Sequence, residues 1–297
     1  MNALKQGLIE KATLTDAEVQ EIERLAGICN NAEHLHMRLS WLKRRVSPAD
    51  APCDFLYYEN GMLVGYLLVD RHGTSKKELT GMVHPDHRHR GVFTEMLTAV
   101  KAEWQPRGTQ KFILICEHAS RSGQAFVTEL GAQHEFSEYR MVLRTFHESR
   151  FSDERLFFRP ATPNDMEALI TIIAEDSHED AKDVTPFVIG FLREPNCQVY
   201  MAVLGEASPG CKEPIGCLRV YELDDEMGIY GFVVRPEYRG RGYGRQMLEE
   251  TLRTLRATSS KLIMLEVDTQ NTRAINLYRS CGFVEETTYG YYALKLT

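Results

Sequence analysis

The sequence predicts a mixed α/β protein made of two tandem copies of one domain, each a sheet flanked by helices. Three observations carry this expectation. "VHPDHRHRGVFTEML" at 83–97 lines up with "VRPEYRGRGYGRQML" at 234–248. At a constant spacing of 151 it pairs Pro85 with Pro236, Arg88 with Arg239, Arg90 with Arg241, Gly91 with Gly242 and Met96-Leu97 with Met247-Leu248. A length of 297 residues suits two domains, each large enough to bury its own core. Strand-like and helix-like periodicities alternate along the chain.

The spacing of 151 also pairs Val64-Gly65 with Ile215-Gly216 and Gly131 with Gly282, and it becomes 149 near the start of each copy, where Ala12-Thr13 meets Ala161-Thr162. A period this long marks a domain duplication, because solenoid repeats run about 20–50 residues. The expected domains are therefore 1–150 and 151–297, divided in the polar stretch "HESRFSDER" at 147–155, just before the apolar "LFFRPAT" that reads as a first strand.

The elements of the second copy follow in order. "TPNDMEALITIIAEDS" has the spacing of an amphipathic helix with an Asn/Asp start signal. "QVYMAVLG" and "PIGCLRVYEL" read as strands joined by the turn "GEASPGCKEP", and "GIYGFVV" reads as another strand. After "RPEYRGRGYG" comes a helix with Leu248, Leu252 and Leu255 on one face. "KLIMLEV" is a strand, "NTRAINLYRSCG" a helix with glycine past its end, and "TYGYYALKL" a closing strand. The result is a sheet of roughly six or seven strands. The first copy gives a similar, less distinct pattern.

Composition limits the function. The chain is 43% hydrophobic and 26% charged, and it contains no apolar run near the ~20 residues of a membrane-spanning helix. No apolar segment follows a basic start at the N-terminus, so no secretion signal is read and a cytoplasmic location is expected. Seven cysteines without a C-x-x-C pair argue against a disulfide framework and a zinc ribbon. A net charge of −7 disfavours nucleic acid as a partner. His84, His87 and His89 resemble a metal cluster in isolation, but the second copy has Arg235, Tyr238 and Gly240 at those positions, so no metal is expected.

"RGRGYG" stands where a strand hands over to a helix. Glycines at 240, 242 and 244 let backbone N–H groups approach an anion, the helix start adds positive dipole, and Arg239 and Arg241 add full charge. A glycine-rich turn with exposed arginines has the same composition. A P-loop needs Lys-Ser/Thr where Arg245-Gln246 stands, and a dinucleotide fingerprint needs G-x-G-x-x-G rather than G-x-G-x-G.

Arg239-Gly240-Arg241-Gly242-Tyr243-Gly244, preceded by a strand and Val-x-Pro, resembles the Arg/Gln-x-x-Gly-x-Gly/Ala signature of the GNAT superfamily of acyl-CoA N-acyltransferases. Asn271, Ala274, Leu277, Tyr278, Gly282 and Phe283 match a second stretch typical of that superfamily. The resemblance implies two tandem GNAT-like domains. In such a domain the strand before the loop splays from its neighbour and acetyl-CoA lies in the gap as acyl donor. It implies that the backbone of Phe232, Val233 and Val234 binds the pantetheine arm and polarises the thioester carbonyl. The loop from 239 to 244 would hold the pyrophosphate, and Asn271 and Ala274 would lie along the arm. "LEV" with Tyr278 twelve residues after Glu266 is similar to the ribosomal-protein N-terminal acetyltransferases, which implies Glu266 as base and Tyr278 as acid. The tandem layout resembles the mycothiol synthase family, in which the C-terminal copy is assigned catalysis.

The chemistry fits those residue types. An amine must be neutral to attack a thioester, and the departing thiolate needs a proton. Glu266 interrupts an apolar strand, and Tyr278 shares a helical face with Ala274, Leu277 and Cys281. Taken singly, a frayed strand end and core packing account for them equally well. In the first copy Ile115 stands for Glu266, Val127 for Tyr278, Ser120 for Asn271 and Phe93 for Gly244, so that copy is expected to be degenerate, although Glu117 lies two residues from the Glu266 position. The expected activity is transfer of an acetyl group from acetyl-CoA to a primary amine of a small molecule or peptide. The alternative is a non-catalytic acyl-CoA-binding sensor or interaction protein. Acceptor contacts are expected in segments such as "NNAEHLHMRLSW" or "SHEDAKDVTPFVIGF", and the acidic residues Glu175, Asp176, Glu179, Asp180 and Asp183 could attract a cationic amine, although a solvated helix end has the same composition.

Overall fold

The computed structural model describes residues 4–37, 51–70, 75–149, 153–205, 212–223 and 225–296. Unit 1 contains Met1–Glu138 with Thr287–Thr297, and unit 2 contains Tyr139–Glu286. The division expected at 150/151 lies outside the described residues.

Unit 1 runs β1 (Gly7–Lys11), α1 (Asp16–Glu33), β2 (Asp54–Glu59), β3 (Met62–Val69), β4 (Lys76–Val83), α2 (Val92–Trp104), β5 (Lys111–Glu117), α3 (Arg121–Glu129) and the start of β6 (Gln133–Leu143). Its sheet is ordered β1-β2-β3-β4-β5, with β4 and β5 parallel and the other pairs antiparallel. Alternation splits each strand between two cores. Leu67 and Val69 of β3 pack on α2 through Met96, Leu97 and Val100. Tyr66 and Leu68 face α1 through Ile22, Leu25 and Cys29.

Unit 2 runs β7 (Leu156–Pro160), α4 (Met166–Ser177), α5 (Ala181–Arg193), β8 (Cys197–Gly205), β9 (Lys212–Glu222), β10 (Glu226–Val234), α6 (Tyr243–Thr258), β11 (Leu262–Asp268) and α7 (Thr272–Cys281), leading into β12 (Phe283–Lys295). The strand order is β11-β10-β9-β8-β7. Leu248, Leu252 and Leu255 of α6 are buried against Ile229, Ile263 and Leu265, as the helical spacing predicts. Each fully buried leucine contributes roughly 1.5–3 kcal/mol relative to exposure. The opposite face of the sheet packs on α4 and α5 through Val199, Met201, Cys217 and Val233.

A capping box opens the first helix of both units. Thr15 and Glu18 form it ahead of α1, and Thr162 and Asp165 form it ahead of α4. In unit 2 the two terminal guanidinium nitrogens of Arg159, Nη1 and Nη2, clamp Asp165 at 2.8 and 2.9 Å and hold its carboxyl well below the usual range.

The last strand does not close the copy it follows. Tyr289–Lys295 of β12 pairs antiparallel with Lys111–Glu117 of β5 and so belongs to the sheet of unit 1. β6, encoded in the first half, supplies Tyr139–Leu143 beside β11 in unit 2. The sequence expectation of "TYGYYALKL" as a closing strand is met in type, but its partner belongs to the other copy. A strand's local pattern specifies two faces and leaves open which free edge it joins.

Candidate active site

The site begins where two parallel strands stop pairing. β10 and β11 are in register from Glu226↔Leu262 to Ile229↔Leu265 and then part, although both strands continue. The backbone of β10 beyond Ile229 is thereby released on its β11 side. On the β9 side the register jumps between Tyr230↔Arg219 and Val233↔Cys217, leaving Gly231 and Phe232 bulged out. Gly231 takes φ +54, a conformation that glycine adopts at little cost, and the bulge turns the strand locally. Phe232, Val233 and Val234 thus lie on the freed, bulged stretch, and an isolated glycine inside "GIYGFVV" was the sequence signal for it.

The loop beyond carries the cradle residues. Gly240 (φ +76) and Gly242 (φ +87) are both left-handed, and Gly242 is the N-cap of α6 with no side-chain cap and no acidic residue in the first turn. The N-terminal N–H groups and the dipole of a sixteen-residue helix therefore stay available to an anion. Gly244 sits in the first turn, where a Cβ would meet Val234 at 3.5 Å and Phe232 at 3.9 Å. Tyr243 turns inward, 4% exposed, with its hydroxyl 3.2 Å from Asp153, so only its backbone faces the loop. Arg239 donates from Nε to the Val234 carbonyl at 2.7 Å and from Nη2 to Asp176 at 2.8 Å, which pins the loop to the strand end and to α4. Arg241 is exposed, its guanidinium 5.5 Å from the ring of Tyr238.

Glu266 and Tyr278 come from opposite faces of the sheet. Ile263, Leu265 and Val267 share the core of α6 and α7, so alternation turns Met264 and Glu266 toward the other side. Glu266 is half-buried, with one carboxylate oxygen shut off from solvent. Tyr278 is 7% exposed in the core beneath α7, its ring 6.3 Å from Phe232, and burial pushes its phenol pKa up. The parting of β10 from β11 leaves backbone unpaired between these two faces. Asn271 caps α7 by accepting from the N–H of Ala274 at 3.1 Å, and Ala274 is partly buried against the α6–α7 core.

Sequence reasoning missed a second feature of this unit. Arg219 of β9 lies beside the bulge, where a Cβ on Gly231 would come within 2.9 Å of its Nη2. It lines a cavity of about 190 Å³ on the α4–α5 face, together with Gly231, Val233, Phe187 and Phe191. A charged residue inside the apolar run "GCLRVYEL" was its only signal. The acidic residues of α4 are partly engaged: Glu175 holds Arg235 at 3.0 Å and Asp176 holds Arg239.

Unit 1 repeats the scaffold with different contents. β4 and β5 pair from Lys76↔Lys111 to Leu79↔Leu114 and then part, but β4 carries no bulge against β3. The bulge in β10 is one inserted residue, because Leu114 and Leu265 are 151 apart while their partners Leu79 and Ile229 are 150 apart. The loop keeps both left-handed positions, with His89 at φ +59 and Gly91 at φ +81, and Gly91 N-caps α2 without a side-chain cap. Arg88 donates to the Val83 carbonyl at 3.1 Å and pairs with Glu33, as Arg239 does with Val234 and Asp176. Phe93 is accommodated because Gly81 opposes it, just as Gly244 opposes Phe232; the aromatic ring has moved from strand to helix. Ser120 caps α3 in the place of Asn271. The resulting cleft encloses about 470 Å³, lined by Gly81, Arg88, Phe93, Ile115, Glu117 and Val127 among others. Glu117 is occupied: it accepts from the His36 backbone N–H at 2.7 Å and the Thr287 hydroxyl at 2.5 Å. His87 holds Glu59 at 3.0 Å.

Residues 164–283 match the family model described as acetyltransferase (GNAT) family. The chain is 28% identical over 254 residues to a mycothiol acetyltransferase of Kineococcus radiotolerans, covering 80% of this chain and 79% of that one. A [ribosomal protein bS18]-alanine N-acetyltransferase of Salmonella typhimurium is 38% identical over 63 residues, 21% of this chain and 43% of its own. Among solved structures, a tandem GNAT protein from the clavulanic acid biosynthesis pathway superposes with a TM-score of 0.71 at 14% identity, covering 97% of this chain and 98% of the other. Residues 164–283, which hold the parted strands, the bulge and the uncapped helix, thus match the GNAT acetyltransferase family, and the chain as a whole has the fold of a tandem GNAT protein.

Proposed function

We propose that this protein is an N-acetyltransferase that moves an acetyl group from acetyl-CoA to a primary amine, and that the transfer takes place in unit 2. One observation supports this most: β10 and β11 part after Ile229 and Leu265, directly before an uncapped helix start. Acetyl-CoA supplies the thioester. The N–H groups at the start of α6, with Gly240, Gly242 and Gly244, offer donors for its pyrophosphate. The freed backbone of Phe232, Val233 and Val234 offers hydrogen bonds to the pantetheine amides and to the oxygen that becomes negative as the amine attacks. Arg239 acts mainly by holding that loop against Val234.

Glu266 takes a proton, directly or through water on one side of the sheet, either from the acceptor's ammonium before attack or from the nitrogen as the neutral amine adds to the thioester carbonyl. Tyr278, held protonated by burial, gives its proton to the departing thiolate on the other. Such proton transfers contribute roughly 10²–10⁴-fold each. Unit 1 has the cleft without these groups, and we assign it acyl-CoA binding without turnover. The test is release of free thiol from acetyl-CoA across a panel of amines. Turnover above background that depends on an amine supports the reading. Binding of acetyl-CoA with no thiol release for any amine leaves the non-catalytic sensor instead.

A further inference from the structure

We infer that the acceptor is a small primary amine bearing a carboxylate and an apolar body, of the amino-acid type, and that Arg219 binds the carboxylate. This rests on the transfer reading above and narrows its substrate. The guanidinium of Arg219 lies 4.6 Å from the rings of both Phe187 and Phe191. Aromatic faces stabilise the cation without accepting its N–H hydrogens in the guanidinium plane. Its Nε–H is shut off from solvent and finds no acceptor among the described residues. A buried donor left unmet is costly, so this one calls for a partner. Asp176, the carboxylate lining the same cavity, is held by Arg239 at 2.8 Å.

The position is as informative as the charge. The guanidinium covers Gly231, the bulged residue at the point where β10 leaves β11, so an anion bound there sits beside the strand proposed to hold the thioester. A planar guanidinium matches a carboxylate with two parallel hydrogen bonds. The other walls are apolar, including Leu169, Ile173, Val199 and Val233, and the volume of about 190 Å³ falls below the range for drug-sized ligands. In unit 1 the corresponding residue is Leu68, 1% exposed in the core, so the feature belongs to unit 2 alone.

The experiment uses the full chain and matched pairs: leucine against leucinamide and isoamylamine, phenylalanine against phenylalaninamide, each assayed for thiol release from acetyl-CoA. The free acids are expected to show KM values lower than their amides by roughly 10- to 100-fold, the scale of a lost charge-assisted hydrogen bond. Arg219→Gln is expected to erase that gap by raising KM for the acids alone, with acetyl-CoA affinity retained, and Arg219→Lys to restore part of it. Equal use of acids and amides, or an equal loss for both in Arg219→Gln, overturns the proposal. Thermal shifts with leucine or leucinamide, without acetyl-CoA, separate the two readings. An Arg219-dependent shift by leucine with no thiol release from any amine keeps the carboxylate site and removes the transferase reading. Absence of both a shift and turnover with leucine removes the site.

Discussion

The two units keep the same scaffold and differ in what they place on it. Both have parallel strands that part after equivalent last pairs, Leu79↔Leu114 and Ile229↔Leu265. Both loops have left-handed residues at matching positions, even where His89 replaces a glycine at a cost of order 1 kcal/mol. Both use an arginine to tie the loop to the strand end. Unit 2 alone has the bulge at Gly231, the Glu266 and Tyr278 pair, and Arg219. The shared features make a cleft with an uncapped helix start, and those confined to unit 2 are the groups we propose to move protons and to recognise an acceptor. A duplicated fold can thus keep its backbone geometry while its two copies differ in the side chains placed on it.

Four measurements test the difference between the two units. The largest effect is expected at the proton-transfer pair. Glu266→Gln or Tyr278→Phe should each lower turnover roughly 10²–10⁴-fold with acetyl-CoA binding largely intact. If Glu117→Gln stops turnover and Glu266→Gln does not, the chemistry belongs to unit 1.

Next come the helix-ending glycines. A Cβ on Gly282 would sit 1.4 Å from the Thr145 carbonyl oxygen, whereas one on Gly131 would meet nothing within 4 Å. Both residues have positive φ, so Gly131→Ala should cost about 1 kcal/mol from backbone strain alone. Gly282→Ala should cost about 3 kcal/mol or more, and equal melting temperatures for the two variants would mean that Gly282 is not so closely packed.

A smaller effect is expected at the cradles. Gly242→Trp places a bulky residue at the N-cap of α6 and should weaken acetyl-CoA binding about tenfold, or about 1.4 kcal/mol. Titration calorimetry on the wild type should show two sites, and Gly91→Trp should leave one. A single wild-type site that Gly91→Trp does not affect would remove acyl-CoA from unit 1.

The smallest effect concerns Asp165. Its folded-state pKa is depressed by Arg159 and by the Thr162 N–H, so its stabilisation is fully present above the ordinary carboxylate value of about 3.9 and is lost as pH falls below that. Asp165→Asn should lower stability by about 1 kcal/mol at pH 7, with the difference from wild type shrinking toward pH 2. A pH-independent difference would mean that charge is not the cause.

Much of the fold could be read directly from the residues. The spacing of Leu248, Leu252 and Leu255 gave the buried face of α6, because helical period and burial are both local properties. "RGRGYG" gave the loop, because left-handed backbone favours glycine. Glu266 and Tyr278 were legible as chemistry, but their placement on opposite faces was not, since it depends on the pairing of β10 with β11. Arg219 was hidden because an arginine in a strand reads as an ordinary surface residue until α5 brings Phe187 and Phe191 over it.

The duplication, the element types and the loop chemistry were already legible in the residues, since all follow from local periodicity and residue type. Which strand closes which sheet was settled by long-range packing. Tyr289–Lys295 pairs with β5 of unit 1, and Tyr139–Leu143 lies beside β11 of unit 2. The physical reason is that the two copies present equivalent strand edges. A strand's alternating pattern fixes its faces and its backbone bonds equally well to either edge, so the choice of partner is made by long-range packing.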